Sequence, residues 1–423
     1  MKALRFALLS LVTTALAAQA QEYPERVGPP SALAAVGDSI STGFNASTTR
    51  FGNQPYHSWS TGSDGGVVSQ YTQLGELGGA PVAYSLAVAG AVMGDLASQV
   101  NNAIARRTAD GGTVDYVTLL MGANDVCRGS EAAMLEVDTF RQQFAGALDS
   151  LSAGLPDARI FVASIPDVFR LWEVLHTDAN AVYVWDVANT CQSVLANPES
   201  TAAADEERRA RVRQRVVDFN QQLAEVCDGS LHCRHDQGAV FEVAFLASEV
   251  STLDYFHPSV TGQSRVGSVT WTATFDFTDV IAPVSTAEIV PSGSEDLITL
   301  SSTDDVAVRG IEFHVTGDSR WARYDVPLSL SEGATLVFRA VDINGNIEAA
   351  QQYRRGGPLP ADGGTGTDAG TEPDAGVQPI ADGGTTDDTP EGGCSCGSGG
   401  FLPVAAFALL GMLRLGDRRR RLR

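Results

Sequence analysis

Gly37-Asp38-Ser39-Ile40, Gly122-Ala123-Asn124-Asp125 and Asp254-Tyr255-Phe256-His257-Pro258 are three short segments, far apart in the chain, whose residue types suit acyl transfer. A serine hydroxyl is a weak nucleophile until a base removes its proton as it attacks. Histidine is the usual base, because its imidazole titrates near neutral pH. It needs a carboxylate partner to hold its tautomer and stabilise the imidazolium. His257 follows Asp254 by three residues, a spacing that lets the carboxylate reach the far nitrogen of the same ring. The attacked carbonyl becomes an oxyanion and needs fixed donors. The Asn124 side-chain amide, the Gly90 N–H and Ser39's own N–H are the candidates. This set reads as Ser39 nucleophile, His257 base and Asp254 orienter, with Ser39, Gly90 and Asn124 as oxyanion donors. It calls for neither metal nor organic cofactor, and no Cys/His spacing resembles a zinc site.

The elements that must position these groups are legible as apolar runs. Ala32–Val36, Val82–Leu86, Tyr116–Met121, Ile160–Ile165 and Val240–Phe245 read as strands buried on both faces. Helical spacing links Phe140, Phe144, Leu148 and Leu151, and again Val212, Val216, Phe219 and Leu223 in a helix starting near Ser200 or Thr201. A last helix is expected from Ser259 to Thr272, with Pro258 in its first turn. Strand–helix alternation predicts a parallel sheet covered on both sides, with function gathered beyond the carboxyl ends of the strands. Ser39 and Asn124 fall there, and Gly37 permits a tight turn after the first strand. The absence of a G-x-S-x-G elbow argues against an α/β-hydrolase sheet.

The chain has 423 residues, 43% hydrophobic, enough for two or three domains. A formal charge of -22 opposes a phosphate backbone, so no nucleic-acid partner is expected. Lys2 and Arg5 precede the apolar run Phe6 to Ala18, and Ala18-Gln19-Ala20 is a small-x-small site; residues 1–20 read as a secretory signal peptide. Export makes disulfides the expected state of Cys127, Cys191, Cys227 and Cys233. Of three pairings, Cys227–Cys233 closes a short loop and leaves Cys127–Cys191; buried free thiols are the alternative.

After residues 21–278, the pattern of residues 279–355 changes to short strands and turns, marked by Ile298–Leu300, Ile311–Val315, Thr335–Val341 and Asn344-Gly345-Asn346. This predicts a small all-β sandwich with no nucleophile–base set of its own. Residues 356–393 are rich in Gly, Asp, Thr and Pro and read as a disordered acidic spacer. Its Asp362, Asp368, Asp374 and Asp382 are too irregularly spaced for a calcium repeat. Residues 394–423 hold Cys394-Ser395-Cys396, an apolar stretch from Phe401 to Leu413 and the arginines 418–421 and 423. The stretch is short for a spanning helix.

The three motifs together resemble the SGNH, or GDSL-type, hydrolases. Gly37-Asp38-Ser39-Ile40 matches the first block, with Ile where Leu is usual; Gly90 matches the second, Gly122-Ala123-Asn124-Asp125 the G-x-N-D block and Asp254-Tyr255-Phe256-His257 the D-x-x-H block. The strings around Gly90 and Asn124 look most like the phospholipase B-like and secreted lipase-like branch. The resemblance implies a flavodoxin-like three-layer α/β/α domain and a carboxylic ester hydrolase. It implies the roles already given to Ser39, Gly90, Asn124, Asp254 and His257, and a lipid or phospholipid acyl ester as substrate. An acetylated polysaccharide is the alternative substrate, and a surface adhesion protein with a non-catalytic hydrolase domain is a further one. Residues 279–347 resemble bacterial Ig-like repeats, which implies attachment to a cell surface or polymer. The tail resembles myxobacterial C-terminal sorting tags, which implies processing near Cys394; a membrane anchor is the plainer reading. His57, His176, His232, His235 and His314 are expected to be surface or structural. Trp59, Trp172, Tyr183 and Trp185 are candidates for a substrate pocket, core packing being the expected role for at least half of them.

Overall fold

The computed structural model describes residues 23–355. The signal peptide, the acidic spacer and the Cys/Arg tail expected from the sequence lie outside the described residues. Five strands form one sheet: β1 (Ala32–Gly37), β2 (Val82–Ser85), β3 (Tyr116–Leu120), β4 (Arg159–Val162) and β5 (Cys233–His235). Their order is β2-β1-β3-β4-β5, and every neighbouring pair is parallel. This is the doubly wound order whose direction reverses between β1 and β3. The α/β fold class and its parallel sheet are as expected.

Helices cover both faces. Phe140, Phe144, Leu148 and Leu151 are buried along the helix Val137–Gly154. Phe140 stacks on Phe219 of the helix Ala203–Asp228, ring centroids 3.9 Å apart. These rings belong to a core that includes Val117, Leu119, Ile160 and Val162 from one sheet face. Leu33, Tyr116, Leu120 and Phe161 lead a second core on the opposite face, with Trp59, Val266 and Phe275. The alternation of side chains along β1, β3 and β4 therefore feeds two cores, as a sheet covered on both sides requires.

Two strand expectations need correction. Val240–Phe245 is not a strand: Val240, Val243 and Phe245 are buried, but the segment is a turn and irregular chain. Asp236 stops the extended chain first, accepting from the N–H groups of Gly238 and Val240. The fifth strand is the shorter Cys233–His235, set against β4 and tied through Cys233 to Cys227. β2 is a largely exposed edge strand rather than one buried on both faces. The second disulfide is Cys127–Cys191, so the pairing is the expected one.

The remaining strands are antiparallel and form two further sheets. β6 (Val284–Ser292), β7 (Glu295–Thr303) and β10 (Leu328–Ser331) make one. β8 (Val308–Val315), β9 (Ala322–Arg323), β11 (Thr335–Asp342) and β12 (Gln351–Arg354) make the other. Ile298, Leu300, Ile311, Leu330, Leu336 and Phe338 share a core between them. Buried arginines fix this β unit to the α/β unit. Arg159, at the start of β4, donates to the carbonyls of Asn344 and Gly28 and to Asn346 Oδ1 at 2.7–2.8 Å. Arg339, on β11, bonds Glu312 at 2.6 Å and Asp157 at 2.7 Å. Removing a buried cation strands the three acceptors it bonds, at a cost of about 3–5 kcal/mol. Arg159→Ala should lower stability by about that amount in chemical denaturation and expose the 276–283 connection to limited proteolysis; an unchanged midpoint and an uncut connection would contradict this role for Arg159.

Candidate active site

The chain leaves β1 through Gly37, at φ +144, where an added Cβ would lie 2.2 Å from the Leu120 carbonyl oxygen. Only glycine fits so close to the neighbouring strand. The turn that follows is held by Asp38, whose Oδ1 accepts from the Ile40 N–H at 2.9 Å, and it presents the Ser39 hydroxyl beyond the sheet. β3 ends in the same manner at Gly122, at φ +127, where a side chain would strike Ile165. A single helical turn, Ala123–Val126, then carries Asn124.

His257 comes from an irregular loop whose backbone is closely tied down. Tyr255, at φ +52, donates its N–H to Ser251 O, while its own carbonyl accepts from Trp185 Nε1 at 2.8 Å. The Ser251 N–H donates to His257 O, and Ser251 Oγ to Asn45 O. The next helix begins later than expected, at Val260; Ser259 is its cap and Pro258 precedes the cap instead of lying in the first turn.

These elements bring three groups of distant sequence into line. His257 Nε2 is 2.8 Å from Ser39 Oγ, and His257 Nδ1 is 2.7 Å from Asp254 Oδ2. Asp254 Oδ1 accepts from the backbone N–H groups of Phe256 and His257, each at 3.0 Å. Asn45 Nδ2 adds a donor to Oδ2 at 2.6 Å. Burial works against charge on Asp254, but the bonds from His257 and Asn45, with the charge of His257, hold its pKa below the ordinary carboxylate value. Asn45 was not singled out by the sequence; its backbone is left-handed, at φ +54, a conformation asparagine tolerates.

Ser39, Asn124 and His257 line one cleft. Asn124 Nδ2 donates to Ala91 O at 2.9 Å, and its second hydrogen remains for another acceptor. The Ser39 and Gly90 N–H groups donate to no other group among the described residues. Gly90 is exposed and lies between Val88, whose N–H donates to Gly37 O, and Ala91, whose carbonyl accepts from Asn124. The cleft is mainly apolar. Val168, Leu171 and Val174 of the helix Val168–Leu175 form one wall, and Phe245, Val250 and Phe256 another, with Ile40 beside Ser39. None of the four aromatics proposed for this role is there. Trp59 and Trp185 are buried in the cores, Trp172 stacks on His176, and Tyr183 is exposed. The other histidines are also away from the cleft; His232 pairs with Glu312 at 2.9 Å. Among the described residues, no group of three or more His, Cys, Asp or Glu side chains could hold a metal ion. A serine–imidazole–carboxylate line beside unused N–H donors is equipped for proton-assisted acyl transfer.

Asp38 is wholly buried, its Oδ2 without a partner among the described residues. Burial raises its pKa to about 7, opposed by the Ile40 N–H and by His257. The folded state thus binds this proton more tightly than the unfolded chain, whose Asp titrates near 4. Ionisation of Asp38 therefore costs stability progressively from about pH 4 to about pH 7. Asp38→Asn, which keeps the acceptor for Ile40, should be more stable than the parent above pH 7, by about 3–4 kcal/mol at most, with the difference closing towards pH 4 in denaturant titrations. A difference independent of pH would contradict it.

A family model described as GDSL-like lipase/acylhydrolase matches residues 33–269, more than half of the chain. Solved structures to which the chain is similar include phospholipase A1 from Streptomyces albidoflavus NA297, 16% identical, with 58% of this chain covering all (100%) of that one at a TM-score of 0.33. They also include the lipase Lip_vut3 from a goat rumen metagenome, 14% identical, covering 57% and 96% of the two chains at a TM-score of 0.36. A family 3 carbohydrate esterase from Clostridium thermocellum is 15% identical, covering 57% and 93% at 0.31. No curated protein matches the chain.

Proposed function

From the premise that the chain belongs to the GDSL-like lipase/acylhydrolase family, and so is an ester hydrolase, we propose that it cleaves medium-chain acyl esters through an acyl-enzyme on Ser39. The supporting observation is the continuous line from Ser39 Oγ through His257 to Asp254, at 2.8 and 2.7 Å, opening on an apolar cleft. Ser39 Oγ attacks the ester carbonyl while His257 Nε2 takes its proton. Asp254 holds the proton on Nδ1 and stabilises the imidazolium. The oxyanion is met by the Ser39 N–H and Asn124 Nδ2, with the Gly90 N–H as the third donor. The imidazolium then protonates the departing alkoxide. A water deprotonated by His257 attacks the acyl-enzyme, and the carboxylic acid leaves as Ser39 regains its proton.

The lining of the cleft supports an acyl chain longer than acetyl. Apolar walls contribute about 0.8 kcal/mol for each buried methylene, and an acetyl group has none to offer. This favours lipid or phospholipid esters over acetylated polysaccharide. Two disulfides suit an oxidising compartment, and with the signal peptide read from residues 1–20 of the sequence they support our reading of an exported enzyme. We read the two antiparallel sheets as an Ig-like accessory, anchored through Arg159 and Arg339, that extends the enzyme towards a surface or polymer.

Ser39→Ala and His257→Ala should each lower hydrolysis of p-nitrophenyl esters by about a thousandfold or more without unfolding the protein. Asp254→Asn should cost less than either. Full activity in a folded Ser39→Ala protein would refute the assignment. Across an acyl series, kcat/KM for the octanoate should exceed that for the acetate by roughly tenfold or more. Preference for acetate, together with release of acetate from acetyl-xylan, would move the substrate class to carbohydrate esters.

A further inference from the structure

Asn45 lies outside the serine–histidine–aspartate line, yet it touches the line at its charged end. Its side chain is fully buried and fixed at both termini. Oδ1 accepts from the Gly52 N–H at 2.8 Å, and Nδ2 donates to Asp254 Oδ2 at 2.6 Å. Its backbone is held as well: the N–H donates to Gly52 O, and the carbonyl accepts from Ser251 Oγ on the loop that carries His257. The left-handed conformation at φ +54 aims the amide across that loop, and asparagine is among the few non-glycine residues that adopt it readily.

We propose that Asn45 is a positioning residue that works through Asp254, sharing the carboxylate oxygen that faces His257. Asp254 Oδ2 receives two donors, the imidazole Nδ1–H and the amide of Asn45. With both present, the negative charge on that oxygen is divided between a neutral donor and the base. The carboxylate is also pinned in rotation, since its other oxygen is occupied by the Phe256 and His257 N–H groups. Without the amide, Oδ2 turns its full charge on the imidazole, and the imidazolium gains stability. The carboxylate is also free to swing away from the ring. The first effect moves the titration of the base to higher pH; the second lowers the rate at every pH.

Other charged groups face the imidazole and must be held constant. The buried Asp38 carboxyl senses His257 from the end of β1, and Asp167, Arg170 and Glu249 line the same cleft. None of them contacts Asn45.

The discriminating substitution is Asn45→Gly. It accepts φ +54 and deletes the donor to Asp254 without adding a charge beside His257. A purely structural asparagine, needed only for the Gly52 turn, would cost stability in this variant and leave the titration of His257 where it was. Ring-nitrogen NMR of His257 in the full-length protein reads the base directly, whether or not an ester is turned over. In Asn45→Gly its titration midpoint should rise by about one pH unit or more, in line with the loss of a hydrogen bond to a charged group. The acidic limb of kcat/KM should follow, with kcat reduced about tenfold and KM little changed. Should Asn45→Gly fail to fold, Asn45→Ala, which also deletes the amide and adds no charge, should show the same direction. A midpoint unchanged in whichever variant folds would overturn the proposal. The kinetic part rests on the esterase reading above. A chain without esterase activity would overturn that reading, and the NMR midpoint would still decide the role of Asn45.

Discussion

The carboxylate of Asp254 is the most heavily committed polar group at the site. Four donors converge on its two oxygens: two backbone N–H groups, the imidazole and the Asn45 amide. An anion in a partly dry site costs energy unless donors surround it, and donors are useful only if the backbone supplying them is fixed. The left-handed Tyr255, the Ser251 bonds and the Trp185 indole supply that fixation. The tautomer of His257, and with it the nitrogen offered to Ser39, follows from this one saturated carboxylate. An isolated Asp–His pair on a loose loop would satisfy the same sequence spacing without that consequence.

The sheet supplies the second half of the geometry. Ser39 and Asn124 leave the carboxyl ends of β1 and β3, the neighbouring strands where the winding reverses, so their turns diverge and leave a crevice between them. Gly37 and Gly122 let both turns begin within contact distance of packed neighbours. The apolar helix Val168–Leu175 closes one side of that crevice. At the opposite end of the sheet, Arg159 and Arg339 bind the β unit through hydrogen bonds and ion pairs, beside a small apolar cluster of Leu231, Val341 and Ile347. Such a junction is directional, because each guanidinium accepts few arrangements of its acceptors.

Much of this was legible in the sequence because it rests on local patterns. Apolar runs marked β1, β3 and β4, and the chemistry-bearing residues directly follow β1 and β3. Helical spacing placed Phe140 and Phe144 on a buried face. The failures have a common cause. Val240–Phe245 is apolar because it is buried, not because it is extended, and composition does not separate the two. β5 reads Cys-Arg-His, a poor strand by propensity, and is a strand because β4 offers it an edge and a disulfide holds it there. Asn45 and the cleft walls Leu171, Val174, Phe245 and Phe256 act through contacts across the fold, some spanning more than two hundred residues of chain, as in the Asn45–Asp254 bond. Aromatic residue type alone pointed to Trp59, Trp172, Tyr183 and Trp185, none of which reaches the cleft.

The central claim is that Ser39 Oγ is the atom that becomes acylated. Peptide-mapping mass spectrometry of the protein after reaction with a fluorophosphonate tests it most directly. A single phosphonate on the peptide containing Ser39, absent from a folded His257→Ala protein, is the expected result. A stoichiometric adduct on another residue, or none under conditions that label an active serine hydrolase in the same tube, would contradict it.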